Sequence, residues 1–108
     1  MSENSSEKTV DINDYREEID RLDSELLAIF NRRADLALQI GRIKKTIGLP
    51  VYDPSREKKI FERMQGANKG PLDDGAVVRL FERVIDESRR LERIMTHDND
   101  KCDGEQQC

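Results

Sequence analysis

The 108-residue chain has no tryptophan, only two cysteines and three prolines, and aromatic side chains make up just 5% of it. So few aromatics leave little on which nucleic-acid bases could stack. No apolar run approaches the roughly 20 residues of a membrane-spanning helix. The opening residues, Met1 to Glu7, have neither the basic nor the apolar region of a secretory signal, so a cytoplasmic location is expected. A surplus of one charge is also missing from the body. The net charge is −4, and the ends account for it: residues 1–9 hold −1 and residues 97–108 hold −3, leaving 17 basic and 17 acidic side chains between them. A neutral body has no general attraction for nucleic acid. Cys102 and Cys108, with five residues between them, cannot supply the four ligands of a structural zinc, so no metal site is expected. Exposed thiols on a disordered acidic tail are the expectation. The length suits one small domain, with 1–10 as a disordered N-terminus, 11–96 as the folded part and 97–108 as the tail.

Helical periodicity is abundant. Tyr15, Ile19, Leu22, Leu26 and Ile29 recur at steps of 4, 3, 4 and 3, and after a gap of 7 the series resumes with Leu36, Ile40, Ile43 and Ile47. This is the a/d repeat of a helix packed along a coiled-coil-like seam. Asp11, Asn13 and Asp14 are N-cap candidates, and Gly48-Leu49-Pro50 ends the helix. Asp53-Pro54 reads as the N-cap and first turn of a second helix to about Gln65, burying Ile60, Phe61 and Met64. Gly66 to Pro71 is the expected loop. A third helix runs from Asp73 or Asp74 to about Met95, with Val77, Phe81, Val84, Leu91 and Met95 on its seam. The fold class is all-α, in the order long, short, long. The first helix would be roughly 55 Å long at 1.5 Å per residue. Two shorter helices cannot cover it, and exposed apolar surface costs about 25 cal/mol per Å². A two-fold homodimer is the expected remedy.

Polar residues interrupt both seams. Arg33 fills the gap between Ile29 and Leu36, and Ser88 fills the gap in the third helix. Glu92 lies one turn beyond Ser88 on nearly the same face. Lys44 is 11 residues after Arg33, a rotation of only about 20°, some 16 Å along the axis. A guanidinium in a packed seam is costly unless an anion answers it. Spacing leaves two answers open: a protein carboxylate such as Asp35 or Glu92, setting register, or an external anion.

The segment Ile19 to Lys44, IDRLDSELLAIFNRRADLALQIGRIK, closely resembles the first helix of the all-helical chorismate mutases, in their monofunctional bacterial form. Pro50 to Glu57, PVYDPSRE, resembles the start of their second helix, and Leu80 to Ser88, LFERVIDES, part of their third. The resemblance covers about residues 12–95, in order and with matching loop lengths. It implies an intertwined helical homodimer with two active sites that converts chorismate to prephenate, in phenylalanine and tyrosine biosynthesis, without a cofactor. It also implies the site residues. Arg33, Lys44 and Glu92 would be catalytic. Arg16, Arg33, Lys44, Asp53, Arg56, Glu57, Ser88 and Glu92 would bind substrate. Arg16 is 28 residues from Lys44, about 42 Å along one helix, so the two cannot hold one small dianion from the same chain. The resemblance assigns Arg16 to the partner's site.

The implied reaction is an intramolecular [3,3] rearrangement. The protein supplies a compact substrate conformer and stabilises negative charge building on the ether oxygen. Guanidinium forks suit carboxylates, so Arg16 and Arg33 would clamp the two carboxylates of chorismate. Lys44 would donate to the ether oxygen, Ser88 would assist at the ring carboxylate, and Asp53 and Glu57 would meet the ring hydroxyl beside Arg56. The position matched by Glu92 is more often glutamine. An amide donates at any ordinary pH, whereas a carboxyl donates only when protonated, so a mutase that works better below neutral pH is expected. Two other readings share these features. One is an isochorismate pyruvate-lyase on the same fold, and the other a non-catalytic helical dimerisation module. A larger enzyme of the same pathway is a candidate partner.

Overall fold

A computed structural model describes residues 11–96. The expected disordered ends, with Cys102 and Cys108, lie outside the described residues, as does the seam position of the Met95 side chain. The described residues form three helices: α1 from Ile12 to Ile47, α2 from Pro54 to Ala67 and α3 from Asp74 to Thr96. No strand occurs among them, and none of the helices is long and apolar enough to cross a membrane. All-α in the order long, short, long is the observed architecture.

Short polar side chains set the helix ends. Asp11 accepts from the backbone N–H of Asn13 at 3.0 Å and of Asp14 at 3.3 Å, while Asp14 accepts in return from the Asp11 N–H at 3.3 Å. This reciprocal cap satisfies the donors a helix start leaves unpaired. At the other end of α1, Gly48 has φ +78° and the Leu49 N–H reaches the Lys44 carbonyl at 2.9 Å. That is the six-to-one bond of a Schellman ending, which needs a left-handed residue. Asp53 caps α2, its side chain accepting from the Arg56 N–H at 3.1 Å with Pro54 in the first turn. α2 runs two residues past the expected Gln65, so Gly66 is helical and does not open the loop. The stop comes from Asn68, whose N–H bonds the Gln65 carbonyl at 3.3 Å and whose amide ties Leu72 and Asp74 at 2.8 and 3.0 Å.

The chain divides into two compact units between Arg32 and Arg33. The described part of the first is helix alone. Its seam residues, Tyr15, Ile19, Leu22, Leu26 and Ile29, are all exposed. The second unit holds the rest of α1 with α2 and α3, and its core is Ala37, Ile60, Val77 and Ile85. Phe61, Met64, Phe81, Val84 and Leu91 are half-buried. Two of the four core residues were not on the expected seams. Ile85 sits beside Val84, because a core-facing stripe is wider than a two-position seam. On α1 the small residues Ala37 and Gly41 are buried, whereas Leu36, Ile40, Ile43 and Ile47 are exposed within the chain.

Candidate active site

The second unit encloses a cavity of about 380 Å³, within the range typical of small-molecule sites. Leu36, Ala37, Ile40, Ile60 and Ile85 form its apolar wall, with Val51 from the α1–α2 loop. Four cations (Arg33, Lys44, Arg56 and Arg89), three carboxylates (Asp53, Glu57 and Glu92) and the Ser88 hydroxyl complete the lining. Seven of the eight positions implied to bind substrate therefore meet around one space. The eighth, Arg16, belongs to the first unit and is exposed.

Two contacts join α1 to α3. The Arg33 guanidinium donates to Ser88 Oγ, which in turn donates to the Val84 carbonyl at 3.1 Å. Lys44 Nζ donates to Glu92 Oε1 at 2.9 Å and to the Val51 carbonyl at 3.0 Å. The Lys44 and Glu92 side chains are only 15% and 12% exposed, so water screens this ion pair little. The Val51 contact also ties the α1–α2 loop to the end of α1. These contacts arise because Arg33 and Lys44 share a face of α1 while Ser88 and Glu92 share a face of α3.

Of the three half-buried cations of the cavity, Arg33, Lys44 and Arg89, Arg33 is the one without a carboxylate partner among the described residues. Among the described residues its guanidinium bonds a neutral hydroxyl and no carboxylate. Burial holds its pKa below the usual guanidinium value, the neighbouring charges of Arg56 and Arg63 lower it further, and Glu92 offsets part of this. Arginine stays protonated through such shifts. Its charge therefore stands in a partly buried, electropositive setting in which a bound anion would be stabilised. Of the carboxylates that spacing offered to it, Asp35 is exposed and forms no ion pair with Arg33, and Glu92 pairs with Lys44 instead.

Two side chains escaped the sequence reading. Arg89 lines the cavity and pairs with Glu57 at 3.0 Å and Asp86 at 2.7 Å, its guanidinium 5.4 Å from the centre of the Tyr52 ring. It lies next to Ser88 but off the a/d seam, so seam arithmetic passes over it. The i,i+3 pair with Asp86 was the only local signal. Arg63 acts on Arg33 through charge, two turns beyond Arg56 on α2.

These features define a class: a helical protein whose polar cavity offers converging cations to a compact anion. The chain belongs to the chorismate mutase type II family, whose model matches residues 15–93. It is 44% identical over 82 residues to the bifunctional chorismate mutase/prephenate dehydratase of Neisseria gonorrhoeae, covering 76% of this chain and 22% of that protein. It is 31% identical over 81 residues to the chorismate mutase of Methanocaldococcus jannaschii, covering 74% of this chain and 82% of that one. The chain thus spans under a quarter of its bifunctional relatives' length. Among solved structures, chorismate mutase from Helicobacter pylori in complex with prephenate superposes with a TM-score of 0.72 at 30% identity, covering 78% of this chain and 91% of that chain.

Proposed function

We propose that the chain catalyses the rearrangement of chorismate to prephenate, working as a homodimer in which each site takes Arg16 from the other copy. One observation carries the reading. Arg33 with Ser88, and Lys44 with Glu92, face a single cavity sized for a small dicarboxylate, and Arg33 has no carboxylate partner among the described residues. Family membership supplies the chemistry that fits this arrangement.

Arg33 and the second copy's Arg16 clamp the two carboxylates and hold the substrate in the compact conformer the rearrangement requires. Ser88 assists at the ring carboxylate. Asp53 and Glu57 receive the ring hydroxyl, with Arg56 at the same edge. As the C–O bond breaks and the C–C bond forms, negative charge grows on the ether oxygen. Lys44 donates to it from a position already fixed by Glu92 and the Val51 carbonyl, so little reorganisation is needed at the moment of reaction. No group forms a covalent bond to the substrate.

The test is the loss of chorismate absorbance with purified protein at pH 5 and pH 7.5, products identified by chromatography, with Arg33→Ala in parallel. The native chain should yield prephenate, and the variant should be slower by about 100-fold or more, the loss usual for a key electrostatic donor. Chorismate that survives the native protein would sink the proposal. Pyruvate released from isochorismate would then point to the lyase.

A further inference from the structure

The Arg89–Glu57 pair is absent from the roles above, yet it sits inside the cavity wall. Arg89 Nη1 reaches Glu57 Oε2 at 3.0 Å, and Nη2 reaches Asp86 Oδ1 at 2.7 Å. Its guanidinium carbon is 5.4 Å from the Tyr52 ring centre, within range of a cation–π contact. One arginine on α3 thus holds a carboxylate of α2, an acid of its own helix and the residue just before the α2 cap. Arg89 and Glu57 are 23% and 20% exposed, so the pair is only partly screened by water. Both residues also line a second cavity of about 250 Å³, together with Phe61, Glu82, Ile85 and Asp86. The pair is common to both walls. A Glu57 released from Arg89 would have open space on either side and flexible torsions with which to enter it.

We infer that Arg89 is a positioning residue. It fixes one oxygen of Glu57, leaving Oε1 to accept from the ring hydroxyl of the substrate, and it seats Tyr52 so that Asp53 is held at the same edge. This deepens the chorismate mutase reading and rests on it. A hydroxyl contact of this kind is present in the bound substrate and in the transition state alike, so its loss raises KM more than it lowers kcat.

The experiment is a double-mutant cycle on prephenate formation with Arg89→Met, Arg89→Lys and Glu57→Gln, each checked for helicity by circular dichroism. Arg89→Met should lower kcat/KM by roughly tenfold, mostly through KM, a typical size for coupled neighbours. In the Glu57→Gln background the same substitution should cost less than about twofold, since there is no longer a carboxylate to hold. Arg89→Lys should recover most of the loss, and if Arg89→Met does not fold, the smaller deficit of Arg89→Lys should likewise vanish beside Glu57→Gln. Full additivity of the two substitutions, or wild-type kcat/KM in Arg89→Met, would overturn the inference while leaving the mutase reading intact. A wild-type chain inert toward chorismate would instead remove the reading beneath it.

Discussion

Arg33 holds a charge that its surroundings disfavour, and that imbalance is where the site's chemistry begins. Burial and two neighbouring guanidinium groups act against its charge, and Glu92 offsets this only in part. A bound anion pairs with the charge and so compensates for all three. Because arginine remains charged across any working pH, Arg33 contributes no pH dependence between pH 5 and 9. Its shape matters as much as its charge. Arg33→Lys keeps the charge but removes the planar fork, so its kcat/KM should fall by about 10- to 100-fold, measured by the chorismate assay. Glu92 accepts from the Lys44 ammonium at 2.9 Å and so fixes it on α3. Glu92→Ala removes that partner and should lower kcat/KM by about tenfold or more, a loss within the range for coupled neighbours, measured by the same assay. Unchanged kcat/KM in the variant would take Glu92 out of the site. Of the polar residues, those replacing a seam hydrophobe were legible from spacing. Arg89 was not, because its partners Glu57 and Tyr52 come from other elements and no periodicity links them to it.

At the scale of the elements, the caps divide structural from chemical roles. Asp53 accepts from the Arg56 N–H and also lines the cavity. Asn is as good an N-cap as Asp. Asp53→Asn should therefore keep the thermal midpoint while raising KM. Asp53→Ala should in addition destabilise the fold by about 1 kcal/mol, seen in urea unfolding. Gly48 offers a second test. A Cβ there meets nothing within 4 Å, so Gly48→Ala meets no clash and bears only the cost of φ +78°. That is about 1–2 kcal/mol for an alanine. The three helices were legible because their stops are local: Asp11 and Asp14, Gly48 before Pro50, and Asp53 before Pro54. The end of α2 was not, because Asn68 closes it through contacts across the loop to Leu72 and Asp74. Nor was the buried side of α1, where Ala37 and Gly41 carry no hydrophobic signal comparable to Leu36 or Ile40.

For the molecule as a whole, the decisive feature is the apolar stripe along α1. Leu22, Leu26 and Ile29 are 55%, 46% and 48% exposed in the single chain. Half-covered as they are, such side chains forgo roughly half of the 1.5–3 kcal/mol that full burial of each would contribute. In the proposed homodimer a second copy laid along this stripe would recover that stabilisation and bring its own Arg16. Leu26→Asp should then weaken the dimer in sedimentation velocity and reduce activity with it, since a buried unpaired carboxylate is strongly unfavourable. The site and the assembly are one claim, and one mixing experiment tests both. Arg16→Ala and Arg33→Ala, each nearly inactive alone, are mixed in equal amounts under conditions that let subunits exchange, and prephenate formation is followed. If each site joins Arg33 of one copy to Arg16 of the other, half of the dimers are mixed and each has one intact site, so activity should return to about a quarter of the native value. A mixture that remains as inactive as its two components would contradict the shared site.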